Sequence, residues 1–281
     1  MDGLRISRRG ALAAGTVVIA SPTLATGLRT APAIQTKRRT AFVLVHGTWH
    51  GGWCWDRVAE ILREAGHRVI APTMTGCGER RHLIGPQVGL TTHIEDVVNA
   101  VEFAGIDEFV LVGHSFAGLT ITGVADRLRE SVRRIVFFDA LIPTEARPAA
   151  VVRDPATGEW PEWWKKRLPA FGDGYKMSFF DHYDLRMLVP EDDAANIALL
   201  KRYLTWHPAG QWTQPLRLEN GGWEGLPRSC IQAGAQAWQP SSEAMLGPGR
   251  GPGWDFRTIP VARDGFLTHP QIVAETFMAL A

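Results

Sequence analysis

The sequence predicts an α/β fold: a doubly wound, mostly parallel sheet covered by helices on both faces. Three observations carry that prediction. Short, continuously apolar runs recur along the chain, stretches with apolar residues at helical spacing separate them, and one apolar run passes straight into a helical stretch through a serine flanked by small residues. Unbroken apolar strands alternating with helices require a parallel sheet buried on both sides.

In order, Ala41–Val45 (AFVLV) reads as a buried strand ending in a His-Gly turn. Residues 55–65 carry Val58, Ile61 and Leu62 at helical spacing. Strands follow at 68–71, 109–112 and 135–138, with helices at 92–103 and 118–128 between them. After Pro143 this rhythm breaks, and the stretch 144–225 is rich in Trp, Pro and charge, including Trp160, Trp163, Trp164, Trp206, Trp212 and Trp223. It reads as a helical lid inserted after the sixth strand and covering an apolar substrate pocket. Strand signals return at 229–233 and 254–259, and a helix over 270–280 closes the chain. The core is thus expected to comprise 40–143 and 226–281.

Composition narrows the function. The 281 residues include 30 Lys+Arg against 29 Asp+Glu, so no global field draws in nucleic acid. Eleven Trp and 12 Phe exclude a solvated, disordered chain. The 3 Cys, at 54, 77 and 230, form no C-x-x-C pair, which argues against disulfide scaffolds and zinc ribbons; no metal or cofactor is implied. The segment GPGRGPG at 247–253 is a poor phosphate cradle, because each proline removes an amide that a phosphate would need.

The N-terminus reads as an export signal over residues 1–25. Arg5, Arg8 and Arg9 precede an apolar run from Ala11 to Ala20, too short to span a bilayer. The adjacent Arg8 and Arg9 after Ser7 resemble a twin-arginine signal, which gives a periplasmic or extracellular location and no stable membrane anchor. Residues 26–39 read as a leader into the fold.

Two motifs carry chemistry. In Gly113-His114-Ser115-Phe116-Ala117-Gly118 a strand turns sharply into a helix, so the serine side chain projects from the sheet edge as a nucleophile elbow. Ala117 stands where the five-residue pattern has its second glycine. In His46-Gly47-Thr48-Trp49-His50-Gly51-Gly52-Trp53 the glycines allow close backbone approach, and the Thr48 amide can pair with that of Phe116 as an oxyanion hole. His46 and His50 read as turn-forming and packing residues; Trp49, His114 and His207 are candidates for the pocket wall.

These motifs, with APTMTGCGERRHL, TTHIEDVV and VFFDALIP, resemble the α/β-hydrolase superfamily, in the branch of plant methylesterases, hydroxynitrile lyases and their bacterial relatives. The resemblance implies a doubly wound fold, a lid and a nucleophile at Ser115; His114 before the serine is similar to the esterase members. It also implies an acid four residues before Pro240 and a histidine seven before Pro270, and the chain departs at both. Gln236 and Arg263 stand there.

Guanidinium, with a pKa above about 12, accepts no proton at neutral pH, whereas an imidazole does. The expectation from these residues is a cofactor-free lyase, isomerase or cyclase acting on a small hydrophobic carbonyl compound, with Arg263 and the Thr48 and Phe116 amides holding a developing anion and Ser115 donating a hydrogen bond. Two alternatives stand beside it: an esterase whose base has moved, to His207 or elsewhere, and a binding protein that has lost catalysis. Asp139 is available as a relocated acid. Arg263→His alone is not expected to create strong esterase activity, because Gln236 cannot orient the ring.

Overall fold

The computed structural model describes residues 39–235 and 245–281; the export signal, nearly all of the leader, and Gln236 lie outside the described residues. Six parallel strands form one sheet: β1 (Ala41–Val45), β2 (Arg68–Ile70), β3 (Phe109–His114), β4 (Val132–Phe138), β7 (Arg228–Ala233) and β8 (Asp255–Ile259), in the spatial order β2-β1-β3-β4-β7-β8. Every residue of β3 is buried, as its unbroken apolar run requires of a strand covered on both faces. The pairs Val45↔Gly113 and His114↔Phe138 align the ends of three neighbouring strands. Those ends carry the site.

Helices α1 (Asp56–Glu64), α2 (Leu90–Phe103) and α3 (Ala117–Arg127) make the crossovers of the first half. Near the C-terminus, α7 (Gly265–Thr268) leads into α8 (Pro270–Met278), whose first residue is a proline, pre-set for a helix start. Trp55, Phe266 and Phe277 pack between this region and the sheet, with the Trp55 and Phe266 rings 4.7 Å apart. Because β1 has β2 on one side and β3 on the other, the chain reverses its winding beside β1. The crevice beyond the carboxyl ends of β1 and β3 is where such sheets bind ligands.

The insertion 144–225 departs from the expectation in place and in kind. It follows the fourth strand of the chain, not the sixth, and only α5 (Ala194–Tyr203) among its described helices exceeds four residues; α4 (Glu162–Lys165) and α6 (Gly210–Thr213) are single turns. Two-residue strands β5 (Lys176–Met177) and β6 (His207–Pro208) pair within it. Aromatic packing replaces helical periodicity there. Trp164 and Trp212 are buried and stacked 5.7 Å apart, and Phe171 meets Trp164 edge-on. No helix of the described residues is long and apolar enough to cross a membrane.

Two histidines buried in this frame are held neutral. Met74 N–H donates to His46 Nε2 at 3.1 Å, which leaves Nδ1–H to donate to the Gly47 carbonyl at 2.8 Å; His93 Nε2 lies 3.0 Å from the Thr75 carbonyl. Burial, as the largest cause, lowers the His46 pKa to about 3 and that of His93 to about 4. A histidine depressed in the folded state leaves the unfolded chain binding more protons below about pH 6.5. Stability is therefore full above that pH and declines as the pH falls through 4 toward 3, each histidine adding up to ~1.4 kcal/mol per pH unit. Urea midpoints are expected to drop steadily from pH 7 to pH 5, with a shallower slope in His93→Asn.

Candidate active site

Ser115 sits between β3 and α3 with φ of 58°, in the left-handed region that few non-glycine residues adopt. Neighbouring backbone holds it there: Leu141 N–H donates to the Ser115 carbonyl at 2.8 Å, and Ser115 N–H donates to Phe138 O at 3.4 Å. The turn needs absent side chains on two sides. A Cβ on Gly118 would lie 1.8 Å from the Leu141 carbonyl oxygen, and one on Gly47 would lie 2.8 Å from the Ser115 Cβ. The indispensable small position of the elbow is therefore Gly118, which explains why Ala117 is tolerated one residue earlier.

Thr48 and Phe116 line one cavity together with Ser115, and neither amide donates to another group among the described residues. Trp49 beside them adopts a φ of 68°. Its indole donates to the Met177 carbonyl at 3.1 Å and its ring packs on Phe179, Tyr183 and Trp212. The insertion supplies Phe179, Tyr183, Met187 and Leu188 to the cavity wall. Sequence reasoning named none of these four, because a segment without periodicity gives no facing to its residues.

Arg263 reaches the serine. Its Nη2 donates to Ser115 Oγ at 2.7 Å, while Nη1 is bonded to Asp139 Oδ2, and all three side chains are buried. Asp139, at the end of β4 with φ of 44°, has its amide on the Ile231 carbonyl at 2.7 Å. Burial lifts the Asp139 carboxyl above its ordinary range, and Arg263 pulls it back down. The acid against residue 263 is therefore Asp139, so the expected failure of Arg263→His, which rested on Gln236, loses its basis.

A second pair lies alongside. His50 Nε2 is 3.0 Å from Asp264 Oδ2 and its Nδ1 is 2.9 Å from the Thr48 carbonyl, tying the Thr48 loop to the residue after Arg263. Asp264 signals this only through its position beside Arg263. His114 also lines the cavity; burial above all, then Arg263, His50 and His46, holds its pKa well below the usual value. Its ring packs on Phe266 at 4.9 Å.

His207 does not face the cavity. Trp49 N–H donates to its Nδ1 at 3.3 Å, Cys77 Sγ lies 3.3 Å from the same atom, and Nε2 is 3.3 Å from Gln211 Oε1. Burial pushes its pKa well below the imidazole range. The relocation of a base to His207 is corrected on this geometry: both ring nitrogens are engaged with groups other than Ser115. Gln211 Nε2 in turn donates to the Phe116 carbonyl at 3.2 Å. A chain of side chains thus runs from the Trp49 amide, beside Thr48, to the Phe116 carbonyl and links the two loops.

The fold and this site define an α/β-hydrolase. The family model described as "Alpha/beta hydrolase family" matches residues 42–276, and the chain belongs to that family. It is 37% identical over 248 residues to the carbendazim hydrolyzing esterase of Nocardioides sp. (strain SG-4G), covering 85% of this chain and 98% of that one. It is 30% identical over 220 residues to methylesterase 2 of Arabidopsis thaliana, covering 70% and 78% respectively. Among solved structures, an extracellular α/β-hydrolase from a Paenibacillus species matches with a TM-score of 0.68 at 22% identity, covering 86% of this chain and 99% of that one. Tomato methylketone synthase I complexed with 2-tridecanone matches with a TM-score of 0.65 at 18% identity, covering 86% and 98%. These structural matches speak to the fold.

The resemblance to methylesterases and their bacterial relatives holds. The expectation of a non-hydrolytic lyase, isomerase or cyclase does not, since the relatives that cover most of this chain are named esterases. The cation excludes less than that expectation requires. A guanidinium against a hydroxyl favours that hydroxyl's anion as readily as it favours an oxyanion on a carbonyl, so Arg263 does not select against acyl transfer.

Breaking a buried ion pair by deleting one partner costs about 3–5 kcal/mol, whereas removing both costs less. Asp139→Ala is expected to destabilise the protein by ~3–5 kcal/mol. The double variant Asp139→Ala/Arg263→Leu should recover part of that loss, as read from urea-unfolding midpoints.

Proposed function

We propose that the protein is a carboxylic-ester hydrolase that cleaves small hydrophobic esters at Ser115. The observation that carries this reading is the hydroxyl of Ser115, presented on a left-handed turn into a cavity shared with Thr48 and Phe116 and held at 2.7 Å by Arg263. The names of the Nocardioides and Arabidopsis relatives, each denoting ester cleavage, support it. Serine is the nucleophile, the Thr48 and Phe116 amides receive the charge that grows on the carbonyl oxygen, and Arg263 stabilises the serine alkoxide. The aromatic side chains of the insertion take up the apolar part of the substrate.

This assignment makes the rate depend on deprotonated serine rather than on a neutral imidazole. In histidine-based catalysis kcat/KM levels off above the imidazole pKa near ~6.5. Here kcat/KM for p-nitrophenyl acetate is expected to keep rising through the alkaline range. A fluorophosphonate probe should label the wild type and leave Ser115→Ala unlabelled. Failure of wild-type protein to be labelled, or a pH profile flat above neutrality, would count against the assignment.

Gln211 is a positioning residue, acting through the Phe116 backbone. Small misplacements of catalytic groups cost up to ~10²-fold in rate. Gln211→Ala is therefore expected to lower kcat by roughly 10-fold or more while KM changes little, and Gln211→Glu, which keeps the shape but not the donor, should fall with it.

A further inference from the structure

Ester cleavage needs a proton twice: one leaves the nucleophile, and one is returned to the departing oxygen. An imidazole does both, because the imidazolium it becomes is the acid for the next step. A guanidinium does neither at neutral pH. The group bonded to Ser115 Oγ is a guanidinium whose other amino group is turned to Asp139.

Among the described residues, the other ionisable side chains on the cavity wall are His50, His114 and Tyr183. His50 has one ring nitrogen on the Thr48 carbonyl and the other on Asp264. His114 is held uncharged by burial above all, with its ring against the Arg263 backbone and its Nε2 3.9 Å from Asp264 Oδ1. The Tyr183 hydroxyl accepts from Arg167 Nη1 at 2.6 Å. Residues 236–244, outside the described set, contain one ionisable side chain, Glu243. The rest of the wall is mostly apolar, with Trp49, Phe116, Phe179 and Leu188 among its residues.

On the reading of Ser115 as an ester-cleaving nucleophile, we infer that this site is selective for esters whose leaving group departs as a stable anion, aryl and enol esters above all, and that it discriminates against alkyl esters. Hydroxide from solvent removes the Ser115 proton and becomes water, leaving an alkoxide beside Arg263. The alkoxide forms the Oγ–carbonyl carbon bond, the bond from that carbon to the aryl oxygen breaks, and aryloxide leaves with the electron pair, needing no proton. A second hydroxide adds to the acyl carbon and the Oγ–carbon bond breaks. The serine oxygen takes the proton of the released acid, so the products are carboxylate, aryloxide and one water. The guanidinium that holds Ser115 Oγ cannot give an alkoxide leaving group the proton it needs as its bond breaks.

The test is a matched pair, phenyl and methyl esters of the same acid, assayed with the full-length protein and compared with hydroxide alone. General acid catalysis is worth about 10²–10⁴-fold, so kcat/KM should favour the phenyl ester by about that factor beyond the ratio shown by hydroxide. Arg263→His, which sets an imidazole between Asp139 and Ser115, should narrow the ratio by at least ~10-fold. Tyr183→Phe and Glu243→Gln should change both esters in step. Equal preference by enzyme and hydroxide, with turnover lost in Ser115→Ala, overturns the leaving-group selectivity and leaves the esterase reading standing. Selective loss of methyl-ester turnover in Tyr183→Phe or Glu243→Gln identifies a proton donor and overturns it likewise. Cleavage of neither ester by protein with a native circular-dichroism spectrum, or phenyl-ester turnover that survives Ser115→Ala, overturns the esterase reading itself.

Discussion

The arrangement around the catalytic crevice depends on one guanidinium. Arg263 joins Asp139, at the end of β4, to Ser115, at the end of β3, and so ties together two strand termini whose carbonyls and amides also bond each other. A charge this deeply buried is sustained only where a carboxylate and good hydrogen-bond geometry answer it. The same contact fixes what the serine can do. Its oxygen is held by a donor that never becomes an acceptor, and any proton it sheds must travel elsewhere.

Backbone strain at the site follows from the same closeness. Trp49, Ser115 and Asp139 all take positive φ, and each lies in or beside the crevice at the strand ends. Such conformations persist where surrounding contacts over-determine them. Here the over-determination is visible: Gly118 lets the Leu141 carbonyl approach the first turn of α3, Gly47 lets the Ser115 Cβ approach the β1 loop, and the Asp139 amide is on Ile231. The hydroxyl is aimed by its backbone as well as by its partner.

Much of the scaffold was legible in the amino-acid order, because buried parallel strands leave continuous apolar runs and the elbow needs a short run of small residues around one serine. AFVLV and the run into Gly113 each became the strand they suggested, within two residues at their ends. Arg263 was found by counting back from Pro270, and the structure brings it to Ser115. Less legible were contacts that link distant segments without a pattern. Asp139 was recognised as an available acid but not as the partner of Arg263, 124 positions away. His207 read as a mobile base and is a buried brace, since no periodicity in its neighbourhood shows which way a ring faces. The insertion was legible as an insertion and illegible inside, because indole packing leaves no spacing to read.

The brace through His207 and Gln211 belongs to the insertion, whereas the Trp49 amide and Phe116 carbonyl that it joins belong to the sheet's own loops. Pocket wall and the loops that flank Ser115 are therefore not separate modules in this chain. A chimera that exchanged the segment for a relative's, in order to alter substrate shape, would remove the strut between the Trp49 and Phe116 loops unless residues equivalent to 207 and 211 came with it. A change of pocket shape in this segment falls on Phe179, Tyr183, Met187 and Leu188, which line the cavity, and leaves that pair in place.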